Sequence, residues 1–331
     1  MDLSTSYMGL SLPSPVVASA SPLNSSLDNL RRLEAGGAGA VVLPSVFEEQ
    51  IQREQELLDA LIDRGAESFG EALSYFPSAT SYAYDTANHL TLVERAARAL
   101  HIPVIASLNG TTDSGWVEYA RDIQAAGARA LELNVFFVPS DPRLSGAEVE
   151  QRYLDVVSAV TASVQIPVAV KLGPYFSSPG HMARRLAGAG ARGLVLFNRF
   201  YQPDIDPATL SLSPELELSH RDEMRLPLLW IGVLSGQVEA SLAATTGVDR
   251  PEDVVKYLLA GADVVMTTSA LLRHGLDHMK VLVDGLAEWL EARGASSPGT
   301  IRGRLSHRNV DDPEAYERAN YIRVLQSFQE A

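Results

Sequence analysis

A chain of 331 residues, 46% of them hydrophobic, can bury a large core, either as two domains or as one α/β barrel. Its formal net charge of −14 disfavours nucleic acid as a partner, because phosphate recognition needs a basic surface. Cysteine is absent, which excludes a disulfide framework, a thiolate metal site and a cysteine nucleophile. No apolar run reaches the roughly 18 residues needed to span a bilayer, and Met1-Asp-Leu-Ser lacks a basic signal-peptide start, so a soluble, cytoplasmic protein is expected.

Along the chain, two local patterns recur. In the first, proline precedes a β-branched run, at Pro15-Val-Val-Ala-Ser, Pro103-Val-Ile-Ala-Ser and Pro167-Val-Ala-Val-Lys; proline suits the first residue of a strand, where no ladder donor is missed. In the second, a helix ends in a glycine cap and an apolar strand follows at once, as in Ala35-Gly-Gly-Ala-Gly-Ala, Ala125-Ala-Gly-Ala, Gly188-Ala-Gly-Ala and Ala260-Gly-Ala. With the further run at 241–247 they give eight strand candidates, at 15–20, 39–45, 103–108, 129–135, 167–172, 193–198, 241–247 and 263–268. Helices fit between them at 25–35, 115–126, 146–163, 179–188 and 251–260. Eight parallel units with short right-handed connections close as a (β/α)8 TIM barrel, one domain over 1–331; no G-x-G-x-x-G follows the first strand to favour an open dinucleotide-binding sheet.

Two regions interrupt this rhythm. Residues 46–88 are long for one connection and read as a helix over Glu48–Arg64 and a loop over Ser74–Asn88, a lid or substrate wall. Within 199–240, the apolar run Leu226–Leu234, ending at Ser235-Gly236, reads equally well as a barrel strand, which leaves the register of strands six and seven open. The tail from Asp311 to Phe328 reads as a capped helix, with Tyr316, Asn320 and Arg323 as candidates for a docking face and its apolar residues packed in the core or against a subunit.

In such a barrel the chemistry collects where strands finish. Lys171, one of three lysines, lies near the carboxyl end of an apolar strand. A charge there is costly unless something anionic or electron-rich meets it, the alternative being a head group snorkelling off the strand end. Thr245-Thr-Gly247 and Thr267-Thr-Ser269 close the last two strands, as small hydroxyl residues and backbone amides do at phosphate sites of this fold, although Thr, Ser and Gly are also ordinary turn residues. Asn134 and Asn198 are strand-end amides that need a partner or a ligand. Glu132 is read as facing the helical layer in a structural salt bridge. The seven histidines show no metal-ligand spacing on one element, so no metal site is expected.

With those residues in place, the sequence resembles the dihydroorotate dehydrogenase family, in its soluble, fumarate-type branch. The resemblance rests on Pro15-Val-Val-Ala-Ser-Ala20, Gly37-Ala-Gly-Ala40, Glu132-Leu-Asn134, Val170-Lys171-Leu-Gly-Pro174-Tyr-Phe176, Thr246-Gly247-Val248, Leu259-Ala-Gly-Ala262 and Ser269-Ala-Leu271. It implies a flavin mononucleotide (FMN) barrel. Ser19, Ala20, Asn134 and Lys171 would lie against the flavin. Gly236, Thr246, Gly247, Thr268 and Ser269 would complete the cofactor site around the phosphate. Asn134, Asn198 and Arg199 would meet the substrate. The departures are as informative. The family's cysteine or serine base falls on Phe137, a substrate asparagine on Pro139 and a second flavin lysine on Pro44. Its asparagine-rich substrate loop has no counterpart in Glu67–Ser78, and the Asn-Ser/Thr pair after strand six reads Asn198-Arg199.

The expected function is therefore an FMN-dependent oxidoreductase that passes a hydride from an anionic, dihydroorotate-like CH–CH substrate to flavin N5. Tyr175 or a water would serve as proton acceptor, and a homodimer or a redox partner subunit would be the partner. Two alternatives stay open: a Schiff-base aldolase-like barrel using Lys171, and a noncatalytic flavoprotein subunit.

Overall fold

A computed structural model describes residues 1–51, 86–110, 116–199, 203–213 and 217–317, with 322, 325 and 326. Eight parallel strands form a closed barrel: β1 Val16–Ala18, β2 Ala40–Phe47, β3 Val104–Asn109, β4 Ala130–Asn134, β5 Val168–Leu172, β6 Gly193–Leu196, β7 Ser241–Ala244 and β8 Val264–Thr267. Closure comes from β8 pairing with β1, where Val265 stands opposite Val16. The helices are α1 Leu27–Ala35, α2 Thr86–Ala99, α3 Trp116–Ala125, α4 Gly146–Ser163, α5 Pro179–Gly188, α6 Arg225–Leu234, α7 Pro251–Ala260, α8 Ser269–His274 and α9 His278–Ala292.

The helix limits have local causes. Ser145 and Glu148 form a reciprocal capping box that starts α4. Proline opens α5 and α7, where its missing N–H costs nothing. Gly261 stops α7 at φ +123°, a conformation that a side chain resists, so the chain turns directly into β8.

Alternation along the strands divides the apolar residues between two cores. Leu131, Leu133, Val168, Val170, Leu194 and Leu196 face the helices, whereas Val17, Val42, Ile105, Val195 and Met266 fill the barrel with Ala40, Ala130, Ala169 and Ala243. The small residues of that inner layer leave room for an element the sequence reading did not anticipate. Thr5–Tyr7 and Leu10–Leu12 form an antiparallel hairpin, and Tyr7, Met8 and Leu12 plug the barrel interior. Its two-residue turn puts Met8 and Gly9 at φ +53° and +80°, the primed-turn geometry that matches strand twist. A methyl group on Gly193 of β6 would lie 2.9 Å from Met8 and 3.0 Å from the Tyr7 hydroxyl, so this strand start has to be glycine.

Three expectations change. Leu226–Leu234 belongs to helix α6, with Pro227 in its first turn, and β6 and β7 are the 193–196 and 241–244 strands. The run is apolar on most sides because α6 packs against α5, α7 and the tail, not because it is a strand. Beyond β2, residues 48–51 open a helix and Thr86–Asn88 already belong to α2. The rest of the expected lid, including Glu67–Ser78, lies outside the described residues. In the tail, Pro313–Tyr316 is a single 3-10 turn and Glu317 is extended, so no helix starts at Asp311, whereas 322, 325 and 326 are helical as expected. Tyr316 packs onto Gly232 of α6, so it is used within the chain; Asn320 and Arg323 lie outside the described residues.

Candidate active site

The inward face of β4 carries Ala130, Glu132 and Asn134, and that of β5 carries Ala169 and Lys171. Lys171 stands in register with Asn134. Its Nζ lies 3.5 Å from Glu132 Oε1, with the side chains 13% and 1% exposed. Glu132 therefore faces into the barrel and not toward the helical layer. It is two residues before Asn134, and a strand returns to the same face every second residue. The salt bridge foreseen for it exists, with Lys171 as partner. Among the described residues neither Glu132 oxygen has a hydrogen-bond partner, and the Tyr7 hydroxyl at the barrel floor also has none. Burial, and then the Glu132 charge, hold the Tyr7 hydroxyl well above the usual phenol range.

At the rim, Asn198 Nδ2 donates to Asn134 Oδ1 at 2.8 Å, so the two amides form one unit. Lys171, Asn198 and Arg199 line a cleft together with Ser19 and Ala20 after β1, Thr246 and Gly247 after β7, and Thr268 and Ser269 after β8. These sequence-predicted residues converge although they come from five strands. Gly236 does not join them. It follows α6 on the opposite face, where strands begin, and its carbonyl faces Arg308.

The loop hydroxyls mostly hold the loops. Thr246 Oγ1 donates to the Phe197 carbonyl at 3.2 Å, Thr268 Oγ1 to the Ser19 carbonyl at 3.2 Å, and the Tyr257 hydroxyl to the carbonyls of Thr245 and Thr246. Ser219, which the sequence reading missed, joins the β7 and β8 loops: its Oγ accepts from the Gly247 amide at 3.2 Å and donates to Ser269 Oγ at 2.9 Å. It lies between β6 and α6, a position that no sequence pattern marks. Arg273 fixes this segment by donating to the carbonyls of Leu218 and Ser219, and Arg221 holds the fully buried Asp253 in a two-pronged pair.

Arg199 is already engaged. Its Nε is 2.8 Å from Glu223 Oε2, and its guanidinium also meets the Glu217 carbonyl. Tyr175 is 66% exposed and lines an adjoining outer cleft with Pro174, Glu223 and Leu226; it is not part of the inner cleft that holds Lys171. Phe137 stacks under the Arg152 guanidinium of α4 at 4.2 Å, and Pro139 is exposed on the same extended stretch. Pro44 stands where the β2–β3 register shifts, between Val42 and Ser45.

Three of the histidines, His89, His274 and His278, have structural partners. His89 is fully buried, its Nδ1 2.9 Å from the Tyr119 hydroxyl, and desolvation lowers its pKa to about 4. His274 and His278 both reach Asp249, one at the carboxylate and one at the carbonyl.

The chain is similar to known proteins over most of its length. The dihydroorotate dehydrogenase family profile matches residues 78–290, the span that contains Asn134, Lys171 and both rim loops. A protein assigned as dihydroorotate dehydrogenase A (fumarate) in Aeropyrum pernix is 31% identical over 318 residues, covering 93% of this chain and 98% of that protein. The chain belongs to the dihydroorotate dehydrogenase family. The catalytic subunit of dihydroorotate dehydrogenase B (NAD(+)) from Methanothermobacter thermautotrophicus is 25% identical, with 92% of this chain and 98% of that protein covered. The NAD-dependent dihydropyrimidine dehydrogenase subunit PreA of Escherichia coli is 23% identical, with 97% and 80% covered. Membership of this family makes the protein an oxidoreductase of the dihydroorotate dehydrogenase type. No helix among the described residues is long and apolar enough to cross a membrane.

Proposed function

We propose that the protein is an FMN-dependent oxidoreductase that oxidises a CH–CH bond of an anionic dihydropyrimidine, dihydroorotate or a close analogue. The observation that carries this reading is the Lys171 ammonium in the barrel mouth, beside the Asn134–Asn198 amide pair and opposite the two rim loops. This donor set fits a flavin with a phosphate tail: a cation and amides for the ring, small loops rich in backbone amides for the phosphate. When bound, FMN supplies a two-electron acceptor for a substrate hydride. Lys171 holds positive charge where negative charge would develop, already oriented before any reaction. The Asn134–Asn198 bond fixes which way each amide presents its donors and acceptors.

The substrate proton is the weak point of this site. Phe137 has no lone pair to accept it, and Tyr175 stands in the outer cleft, which leaves a water of the two acceptors expected from the sequence. General-base catalysis is worth about 10²–10⁴-fold, which makes slow turnover of dihydroorotate the expectation. A noncatalytic role as a flavin subunit is the second reading, favoured by Phe137, which is stacked on Arg152 and has no lone pair for a proton. The aldolase reading loses ground, because an ammonium ion-paired with Glu132 is not a nucleophile. The test is to purify the protein, record its visible spectrum with added FMN, and mix it anaerobically with dihydroorotate and with uncharged dihydropyrimidines. Bleaching by one of them supports the reading and assigns the substrate. A protein that takes up no FMN rejects it.

A further inference from the structure

Glu132 is the residue that family resemblance and site geometry leave unexplained. Its carboxylate is 1% exposed, and neither oxygen is hydrogen-bonded. Its registered neighbours on β3 and β5 are Ser107 and Ala169. The Ser107 hydroxyl is already paired with that of Ser45 at 2.7 Å, and Ala169 has nothing to offer. Among the described residues Lys171 is its one ionic partner. A buried ion pair without supporting hydrogen bonds is a poor source of stability, and apolar residues of similar volume generally do as well or better. Its position suggests another use. Glu132 lies below Lys171, one residue pair further from the rim, so the pair forms a dipole along the barrel axis with its positive end at the cleft.

We propose that Glu132 is a positioning residue that holds the Lys171 ammonium at the barrel mouth and moderates the positive field felt by a bound flavin, and so sets its reduction potential. This inference rests on the flavin reading above. A lysine carries three donors on a flexible stem. The ionic attraction from below holds the ammonium in place while its N–H groups serve the cleft. At the same time the carboxylate cancels part of the cation's charge at longer range. The protein then favours an anionic reduced flavin less than an isolated lysine would.

The experiment uses the full-length protein loaded with FMN, in wild-type, Glu132→Gln and Glu132→Asp forms. Two quantities are read: the two-electron potential by equilibration with a reference dye, and the dissociation constant of sulfite, which adds to flavin N5 and leaves the ring anionic. Removing the charge in Glu132→Gln is expected to tighten sulfite binding about tenfold or more, with the potential rising by about 30 mV for each tenfold. Glu132→Asp keeps the charge but withdraws it from Lys171, and a smaller shift in the same direction is expected. FMN-loaded variants whose potential and sulfite affinity both match wild type overturn the proposal. Should Glu132→Gln not fold, Glu132→Asp alone decides in the same way; failure of both to fold makes Glu132 structural and also overturns it. If wild type takes up no FMN, it is the flavin reading itself that fails.

Discussion

Replacing Lys171 by methionine keeps an unbranched side chain one atom shorter, removes its charge and leaves Glu132 as a buried carboxylate without its ionic partner. At 3.5 Å, two unit charges in a medium of effective dielectric constant about 20 attract by about 5 kcal/mol. Lys171 is partly hydrated at the mouth, which trims that value. Breaking a buried pair by removing one member typically costs about 3–5 kcal/mol, so a loss near the lower end of that range is predicted. Removing both charges is different: Lys171→Met/Glu132→Gln leaves a neutral amide in place of a lone anion and should recover most of the loss. The assay is urea unfolding followed by fluorescence of Trp116, Trp230 and Trp289 and by circular dichroism, requiring coincident transitions and unchanged slopes. A double-mutant cycle then isolates the coupling. A single variant that loses less than about 1 kcal/mol, within the range of an exposed pair, would refute the reasoning. So would a double variant less stable than the single.

Three further outcomes are expected. His89 is held at a pKa of about 4 by desolvation, against 6.5 for an ordinary imidazole, so it is neutral in the folded protein near neutral pH. Its contribution is complete above pH 6.5 and is lost as the pH falls toward 4, by about 3 kcal/mol in all; His89→Gln should flatten that part of a pH–stability profile measured by urea unfolding. Gly247 has φ +74°, and a methyl group there would lie 2.6 Å from Met224 Cγ and 2.7 Å from the His220 carbonyl. Gly247→Ala should cost about 1–3 kcal/mol and weaken FMN uptake more than riboflavin uptake, read by fluorescence titration. Phe137→Cys places a proton acceptor where the family resemblance puts one, and should speed anaerobic flavin reduction by dihydroorotate about 10²-fold or more in stopped flow. An unchanged rate would separate this protein's substrate from dihydroorotate.

The barrel was legible in the sequence because its signals are local. Proline before β-branched residues and glycine after an amphipathic helix each act within a few positions, and they mark seven of the eight strands, all but Ser241–Ala244, and the ends of α1, α3, α5 and α7. Strand-end reading also singled out Lys171, Asn198 and the two rim loops, which line one cleft, and Asn134, which is hydrogen-bonded to Asn198. What escaped depends on distant partners. The Leu226–Leu234 run is uniformly apolar, so periodicity could not separate a buried helix from a strand. Gly236 was misplaced with it. The Tyr7–Leu10 hairpin fits only because Ala40, Ala130, Ala169 and Gly193 leave space far along the chain, although Met8-Gly9 between alternating apolar residues was a usable turn signal. Ser219 had no signal of any kind. Glu132 did have one: counting by twos from Asn134 places it inside.

The most direct test of the account is a titration of the purified protein with FMN and, separately, with riboflavin, followed by visible absorbance and flavin fluorescence. The account predicts one FMN bound per chain, with perturbed flavin bands and a preference over riboflavin of about tenfold or more from the phosphate held by the rim loops. Uptake of neither flavin, or equal affinity for both, would contradict it.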